Sequence, residues 1–103
     1  MWLGLSRRSS RLKAEELDEK YWKYRENLVK AFSTLRLTPE GQPHASKISE
    51  VISLAECYRK DAEHFHRSSM KVTALISLAY GEGLLDALKI LGYVDFEWGW
   101  EKP

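Results

Sequence analysis

The stretch KVTALISLAYGEGLLDALKILG, residues 71–92, decides the fold. Wound as a helix, it presents apolar side chains in nearly every direction, so we predict a helix over about residues 70–91 that neighbouring helices enclose on all sides. Its length approaches that of a membrane span, but Glu82, Asp86 and Lys89 would each cost about 2.5–3.5 kcal/mol near the centre of a bilayer. The stretch therefore predicts the central helix of a soluble bundle.

Two glycines interrupt this helix. Gly81 and Gly83 each cost about 1 kcal/mol of helix stability relative to alanine. Such a cost is offset where the missing side chain lets another backbone or a bulky ring come close. Because the two positions are two residues apart and point to different sides, we predict two close-packing contacts, one at each glycine.

Two acids accompany the glycines. Glu82 and Asp86 are four residues apart, so their carboxylates share one face of the helix and repel each other if they are exposed. One interpretation is a structural polar cluster in which one or both acids accept a tyrosine hydroxyl, such as that of Tyr58, or pair with a basic residue: Arg59, Lys60, Arg25 or Lys89. Another is a binding position for a cationic group. A metal site lacks the Glu-x-x-His motif of di-iron bundles, so we predict no metal and no cofactor.

Two further helices are predicted before this one. The first, over about residues 12–36, follows from apolar residues that alternate at spacings of four and three. They are Leu17, Tyr21, Tyr24, Leu28, Ala31 and Leu35. Two prolines and a glycine in LTPEGQPH, residues 37–44, end this helix, and a second is predicted over about residues 46–66. The sequence thus predicts an all-α fold, an elongated antiparallel three-helix bundle.

The C-terminal segment YVDFEWGWEKP, residues 93–103, alternates apolar and polar residues. We predict an extended aromatic tail that Phe96 and Trp98 hold against the bundle. Together with Trp100, these side chains are also candidates for a protein interface, because buried aromatic residues dominate binding energies. A chain of 103 residues is sufficient for one helical domain, predicted over residues 14–103.

The first thirteen residues carry four basic side chains and no acid: Arg7, Arg8, Arg11 and Lys13. We predict a mobile basic arm over residues 1–13 that could bind RNA phosphates with a marked dependence on salt. The net charge of +1 over the whole chain gives no general attraction to nucleic acid, so RNA binding would depend on this arm.

The localisation follows from two weak signals. The opening MWLGLSRRSS has an apolar stretch of about four residues, which is shorter than a signal peptide needs. The one cysteine, Cys57, excludes an internal disulfide and fits a reducing environment. We therefore expect a cytoplasmic protein.

Arg59 and His64 form an Arg-x4-His pattern that resembles the signature of HEPN-domain ribonucleases, which are small helical bundles. On a continuous helix, residues five apart lie about 140° apart around the axis, so the two side chains converge only if the helix bends between them. The sequence has no recognisable activated nucleophile or glycine-rich phosphate loop. It therefore favours a non-enzymatic role, with the ribonuclease as the alternative.

Two segments, YRKDAEHF at residues 58–65 and ALISLAYGEGLLDALKILG at residues 74–92, resemble the archaeal helical family catalogued as domain of unknown function 357. The most specific part is EGLLDAL, residues 82–88, and a PEG turn after a charged first helix also fits. The resemblance covers residues 15–98 and implies a helical bundle from an archaeal cytoplasm. It implies no activity, because the family has no established one.

Three hypotheses about function follow. The first is a protein-interaction module that pairs with itself or with another protein through the helix over residues 70–91 and the aromatic tail. The second is an RNA-binding protein or ribonuclease that uses Arg59, His64 and the basic arm. The third is a regulatory bundle that binds a cation or a cationic ligand at Glu82 and Asp86.

Overall fold

The computed structural model describes the backbone of residues 2–100 and the side chains of residues 13–100. Three α-helices and a two-stranded antiparallel sheet make up this part of the chain. In chain order, the elements are α1 (Trp2–Thr34), β1 (Arg36–Leu37), a short 3-10 helix (Gln42–His44), α2 (Ala45–Arg67), α3 (Lys71–Ile90) and β2 (Val94–Asp95). The predicted all-α three-helix bundle is confirmed.

The helix α3 lies between α1 and α2 and packs against both. Leu28 of α1 and the carbonyl of Ala55 of α2 both approach Gly81 in the middle of α3. The ammonium group of Lys71, at the start of α3, donates a hydrogen bond of 2.9 Å to Asp18 of α1. These contacts show that α1 and α3 run parallel and that α2 returns antiparallel to both. The longest dimension of the chain is 62 Å.

The core lies along the bundle axis, with large side chains between the helices and alanines where two helices come close. The largest fully buried side chains are Tyr21, Leu28, Leu78 and Leu85. The fully buried alanines are Ala31, Ala55, Ala62 and Ala74. Although α3 supplies much of this core, neither it nor another helix within residues 2–100 is long and apolar enough to cross a membrane.

The N-terminal part of α1 differs from the prediction. The helix begins at Trp2, so from that residue on the basic segment predicted as an arm over residues 1–13 is part of the first helix. No proline interrupts the segment, and the helix therefore extends through it. Lys13 is exposed. The other three basic side chains of this segment lie outside the described side chains: Arg7, Arg8 and Arg11.

The C-terminal end of α1 also differs from the prediction, because the helix stops at Thr34 and β1 follows. The backbone of β1 pairs antiparallel with β2, with Arg36 opposite Asp95 and Leu37 opposite Val94. A guanidinium nitrogen of Arg36 also donates a hydrogen bond of 2.9 Å to the Asp95 carboxylate. This short sheet ties the end of α1 to the segment that follows α3.

The aromatic tail packs against the bundle as predicted. Phe96 and Trp98 are buried, and the ammonium group of Lys89 donates a hydrogen bond of 2.7 Å to the Phe96 carbonyl oxygen. Gly99 lies against Asn27 of α1, so close that any side chain at this glycine would overlap the asparagine. The tail therefore covers the end of the core formed by α1 and α3.

The turn after β1 contacts the end of α3. Gly92 has a φ of 79°, the left-handed conformation that ends helices at glycine. The Thr38 hydroxyl donates a hydrogen bond of 2.6 Å to the Gly92 carbonyl oxygen, and the Thr38 amide donates one of 3.0 Å to that of Tyr93. Gly41 lies so close to the Tyr93 carbonyl that no side chain fits there. The PEG turn and the end of α3 thus hold each other.

Candidate functional site

One side of α3 is open to solvent, which corrects the prediction that neighbouring helices enclose it on all sides. Ile76 is 58% exposed, Tyr80 is 60% exposed and Ile90 is 80% exposed. Only two helices are available to cover α3, and they cover two sides. We call the uncovered side the open face. Its residues are Val72, Ile76, Ala79, Tyr80, Gly83, Ala87 and Ile90.

The middle of the open face is a shallow groove of about 410 Å³, lined by Ile76, Ala79, Tyr80, Gly83 and Leu84. The groove is shallow and apolar because its central residues are alanine and glycine. No atom lies within 4 Å of the position that a Cβ would take at Gly83. The close-packing contact predicted for Gly83 is therefore absent from the described chain, because this glycine faces outward.

Gly81 lies on the opposite side of α3. A Cβ at this glycine would be 3.3 Å from the carbonyl oxygen of Ala55 and 3.3 Å from a methyl group of Leu28. The missing side chain thus lets α1 and α2 approach α3 at the same level of the bundle.

The open face continues onto α2 through aromatic contacts. The rings of Tyr58 and Tyr80 lie with their centroids 5.0 Å apart. Leu54, which is 48% exposed, lies one turn before Tyr58 on the same side of α2. Tyr58 therefore extends an apolar surface and does not join Glu82, which lies on the α1 side of α3, in the predicted polar cluster.

A second cavity lies between α1 and α3. It has a volume of about 330 Å³ and is lined by Lys20, Tyr24, Leu75, Ala79 and Glu82. One carboxylate oxygen of Glu82 is buried and accepts no hydrogen bond from the described residues. Burial, and to a lesser degree a neighbouring carboxylate, raises the pKa of Glu82 to about 7.

The neighbouring carboxylate is that of Asp86, which is exposed on the next turn of α3. Within the described residues, neither Glu82 nor Asp86 forms an ion pair, so the predicted cluster of paired acids with Arg59 is wrong. Glu82 lines the cavity beside α1 and Asp86 is exposed, whereas Arg59 pairs with Glu56 and Glu63 of its own helix. The same residues contain no group of three or more His, Cys, Asp or Glu side chains that could hold a metal ion.

Arg59 belongs instead to an ion-pair network that joins α1 to α2. Its guanidinium donates hydrogen bonds to Glu63 at 2.8 Å and to Glu56 at 3.2 Å. Arg25 of α1 donates a further hydrogen bond of 2.9 Å to Glu63. The hydrogen bond with Glu56 is the main cause that raises the pKa of Arg59. His64 is exposed on the same unbroken helix, so the structure does not bring Arg59 and His64 together as a catalytic pair.

Near the N-terminal end of α3, His66 of α2 stacks on Tyr21 of α1 with ring centroids 3.8 Å apart. His66 and Lys71 both lie within hydrogen-bond distance of Asp18, at 3.2 Å and 2.9 Å. The hydrogen bond from Lys71, followed by that with His66, lowers the pKa of Asp18. The periodicity of α1 predicts Tyr21 in the core, but this cross-helix contact depends on the register between α1 and α2, which no local spacing reports.

The three aromatic residues predicted for an interface divide into two groups. Phe96 and Trp98 are buried within the chain, which leaves them unavailable as a surface. Trp100 is 52% exposed and stacks on Trp98 with ring centroids 4.9 Å apart. Of the tail, Trp100 alone presents a large aromatic surface to solvent within the described residues.

The sequence contains a signal for the open face, which the prediction of a fully enclosed helix does not use. Except for Ser77, the buried residues of α3 follow one stripe at spacings of four and three: Ala74, Leu78, Gly81, Leu85 and Leu88. The residues of the open face form a second stripe at similar spacings on the other side of the helix. Two apolar stripes on one helix indicate a surface for a partner as readily as a fully enclosed helix.

A family model described as "Protein of unknown function (DUF357)" matches residues 23–94. The chain belongs to the DUF357 family. The DUF357 match begins within α1 and includes all of α2 and α3, and it confirms the resemblance seen in residues 82–88. It contains the open face and Glu82 but not Trp98 or Trp100. Neither a curated protein nor a solved structure matches the chain.

Proposed function

We propose that this DUF357 chain is a non-enzymatic protein-interaction module that binds a helix of its partner on the open face of α3. The supporting observation is the exposure of large apolar side chains, Ile76, Tyr80 and Ile90 among them, along one side of a helix that is otherwise buried. Fully burying one such side chain contributes about 1.5–3 kcal/mol. A face with several of them favours association over exposure to water.

The shape of the open face favours a helix as the bound element. Ala79, Gly83 and Ala87 follow one another at four-residue spacing and leave a groove along α3 between larger side chains. Ridges and grooves at this spacing are the elements through which helices pack at an interaxial distance of about 8–10 Å. Apolar helix faces that bind in grooves are a recurrent form of protein recognition.

The surroundings of the two candidate catalytic residues support a role without catalysis. Arg59 is held by two carboxylates, and His64 is exposed on a continuous helix. No geometry within the described residues favours the RNA-binding alternative. The proposal includes an archaeal and cytoplasmic setting, which the family resemblance and the single Cys57 support.

The proposal is tested by comparing two charge substitutions on exposed residues. Ile76→Glu introduces a carboxylate into the groove of the open face, and Ser49→Glu introduces one on α2 away from the open face. We expect partners captured by the wild-type chain in an extract of its own organism, and reconstituted with purified components, to lose binding to Ile76→Glu alone. Equal binding by both variants, with unchanged circular dichroism, would contradict the proposal.

A second candidate is a regulatory bundle that binds an organic cation in the cavity beside Glu82. The buried carboxylate oxygen without a hydrogen bond favours it, since a cation would satisfy that oxygen between apolar walls. Asp86, one turn away, would add to the attraction. Thermal unfolding of the wild type and of Glu82→Gln with a panel of polyamines and divalent metal salts tests it. A stabilisation seen only with the wild type is expected, and no stabilisation by any compound would count against the site.

A further inference from the structure

We propose that the occupant of the open face is a second copy of this chain, related by a two-fold axis that passes beside Gly83 and makes the two α3 helices antiparallel. This inference rests on the proposed function and names the partner. It is carried by two features of the open face: the order of its residue sizes and the position of its charges.

Five residues along the middle of the open face read the same in both directions, whereas Tyr80 and Val72 lie outside this symmetric order. Gly83 is central, with Ala79 and Ala87 four residues to either side and Ile76 and Ile90 seven residues to either side. An antiparallel second copy therefore places each isoleucine against the other isoleucine, alanine against alanine, and glycine against glycine. This order suits a two-fold interface, in which the same patch of each copy must complement itself.

The small residues at the centre allow close approach. The space beyond Gly83 is empty to at least 4 Å from the position of a Cβ, and Ala79 and Ala87 are exposed beside it. Two helices that meet at glycine and alanine approach to about 8 Å, near the short limit for helix packing. At that separation the isoleucines at the two ends fill the space between the helices.

The charges beside the open face are complementary in this register. In this register, two residues that lie opposite each other have numbers that add up to 166, so Asp86 of one copy lies at the level of Tyr80 of the other. Asp86 lies on the side of α3 that faces α1. On that side Lys20 lines the cavity next to Ala79 and Glu82. Neither Asp86 nor Lys20 is among the ion pairs of the described residues. The two-fold axis brings each Asp86 toward the partner's Lys20, giving two equivalent pairs.

The size of the surface sets the expected affinity. At about 1.5 Å per residue the open face is about 27 Å long, and with its flanks on α1 and α2 it is about 20 Å wide, on the order of 500 Å² per copy. Stable interfaces bury about 600–1,000 Å² per partner. A contact slightly below that range fits a reversible dimer with a dissociation constant in the micromolar range.

Sedimentation equilibrium on the full chain tests the charges. We expect a monomer–dimer equilibrium for the wild type and a dissociation constant about tenfold higher for Asp86→Lys or for Lys20→Asp, because each change creates two like-charge contacts. The double variant with both changes recreates opposite charges and should regain most of the affinity. A double variant as weak as the single ones, or a wild type that is monomeric at every concentration, would overturn the proposal.

Oxidative crosslinking tests the axis independently. In a Cys57→Ser background, Gly83→Cys places two thiols beside the two-fold axis, within the distance that a disulfide spans. We expect rapid formation of a covalent dimer, and little from the control Ser49→Cys on α2. Equal crosslinking of the two variants would overturn the register. Should the chain be monomeric while a different protein still binds in a manner sensitive to Ile76→Glu, the second copy fails and the interaction module stands.

Discussion

Gly81 and Gly83 are separated by one residue on the same helix, yet they lie in opposite environments. Gly81 is surrounded by α1 and α2, with Ala55 and Leu28 at contact distance from the position of a Cβ. Gly83 faces a groove with no neighbour. The amino acid is the same and its cost to the helix is the same, so the difference lies in what occupies the space of each absent side chain: helices of the same chain at Gly81, and no atom within 4 Å at Gly83.

The same contrast holds for whole sides of α3. The side of Leu78 and Leu85 is buried and holds the bundle together. The side of Ile76 and Ile90 has a similar composition and stays exposed. Apolar composition alone therefore does not show whether a side of the helix is buried, because burial depends on where the neighbouring helices lie.

The largest expected change in the free energy of unfolding comes from truncating a side chain to alanine on the buried side of α3, compared with the same truncation on the open face. Leu85→Ala removes a fully buried side chain and should lower the free energy of unfolding by about 2–5 kcal/mol, because a cavity forms between the helices. Ile90→Ala removes an 80% exposed side chain and should change it by less than about 0.5 kcal/mol. Urea denaturation at a concentration where the chain is monomeric measures both. Equal losses of unfolding free energy in the two variants would contradict the difference between the buried side and the open face.

Substitutions at the two glycines should give the next largest changes in the free energy of unfolding, and the two changes should have opposite signs. Gly81→Val forces a branched side chain against α1 and α2 and should cost about 1–3 kcal/mol. Gly83→Ala meets no neighbour and should stabilise the monomer by about 0.5–1 kcal/mol, because alanine is the better helix former. Thermal unfolding of dilute protein gives both values. A destabilised Gly83→Ala monomer would mean that this glycine is packed after all.

The smallest effect concerns pH and the boundary between the two sides, where Glu82 lies. Its pKa of about 7 in the folded chain exceeds the ordinary value of 4.5, so between these pH values the folded chain keeps a proton that the unfolded chain loses. The free energy of unfolding should therefore fall as pH rises from 4.5 to 7. The fall amounts to about 1–2 kcal/mol once partial exposure to solvent is allowed for.

Glu82→Gln removes that dependence and should be more stable than the wild type above pH 7 but not near pH 4.5. Asp86→Asn is the matched control, and it should keep most of the pH dependence because burial outranks the neighbouring charge as the cause of the raised pKa. Denaturant titrations at several pH values measure the difference. Identical pH curves for the wild type and Glu82→Gln would show that the Glu82 carboxylate is solvated in the folded chain.

The parts of the fold that depend on local pattern could be predicted from the sequence. The alternate spacing of four and three that includes Tyr21 and Leu28 predicts the buried side of α1, and both residues are in the core. Prolines and glycine in residues 37–44 predict the turn between α1 and α2. These signals suffice because a helix and its buried side are determined within a few residues of chain.

The features that depend on contacts between distant segments could not be predicted. Two residues in each strand are too few for a propensity signal, so β1 and β2 form only because the turn and the end of α3 meet. The link between Arg25 and Glu63 requires the register of α1 against α2. The open face resembles the core in composition, and composition alone does not distinguish a side that the chain covers from one that it leaves exposed.

The parallel arrangement of α1 and α3 has a consequence for the order of folding. Contacts between α2 and α3, such as that between Tyr58 and Tyr80, close a short loop, whereas Asp18 and Lys71 are 53 positions apart. Because closing the longer loop costs more chain entropy, the hairpin of α2 and α3 should form first and α1 should dock last. A nascent chain therefore releases its first helix unpaired and completes the core only when the last third has been synthesised.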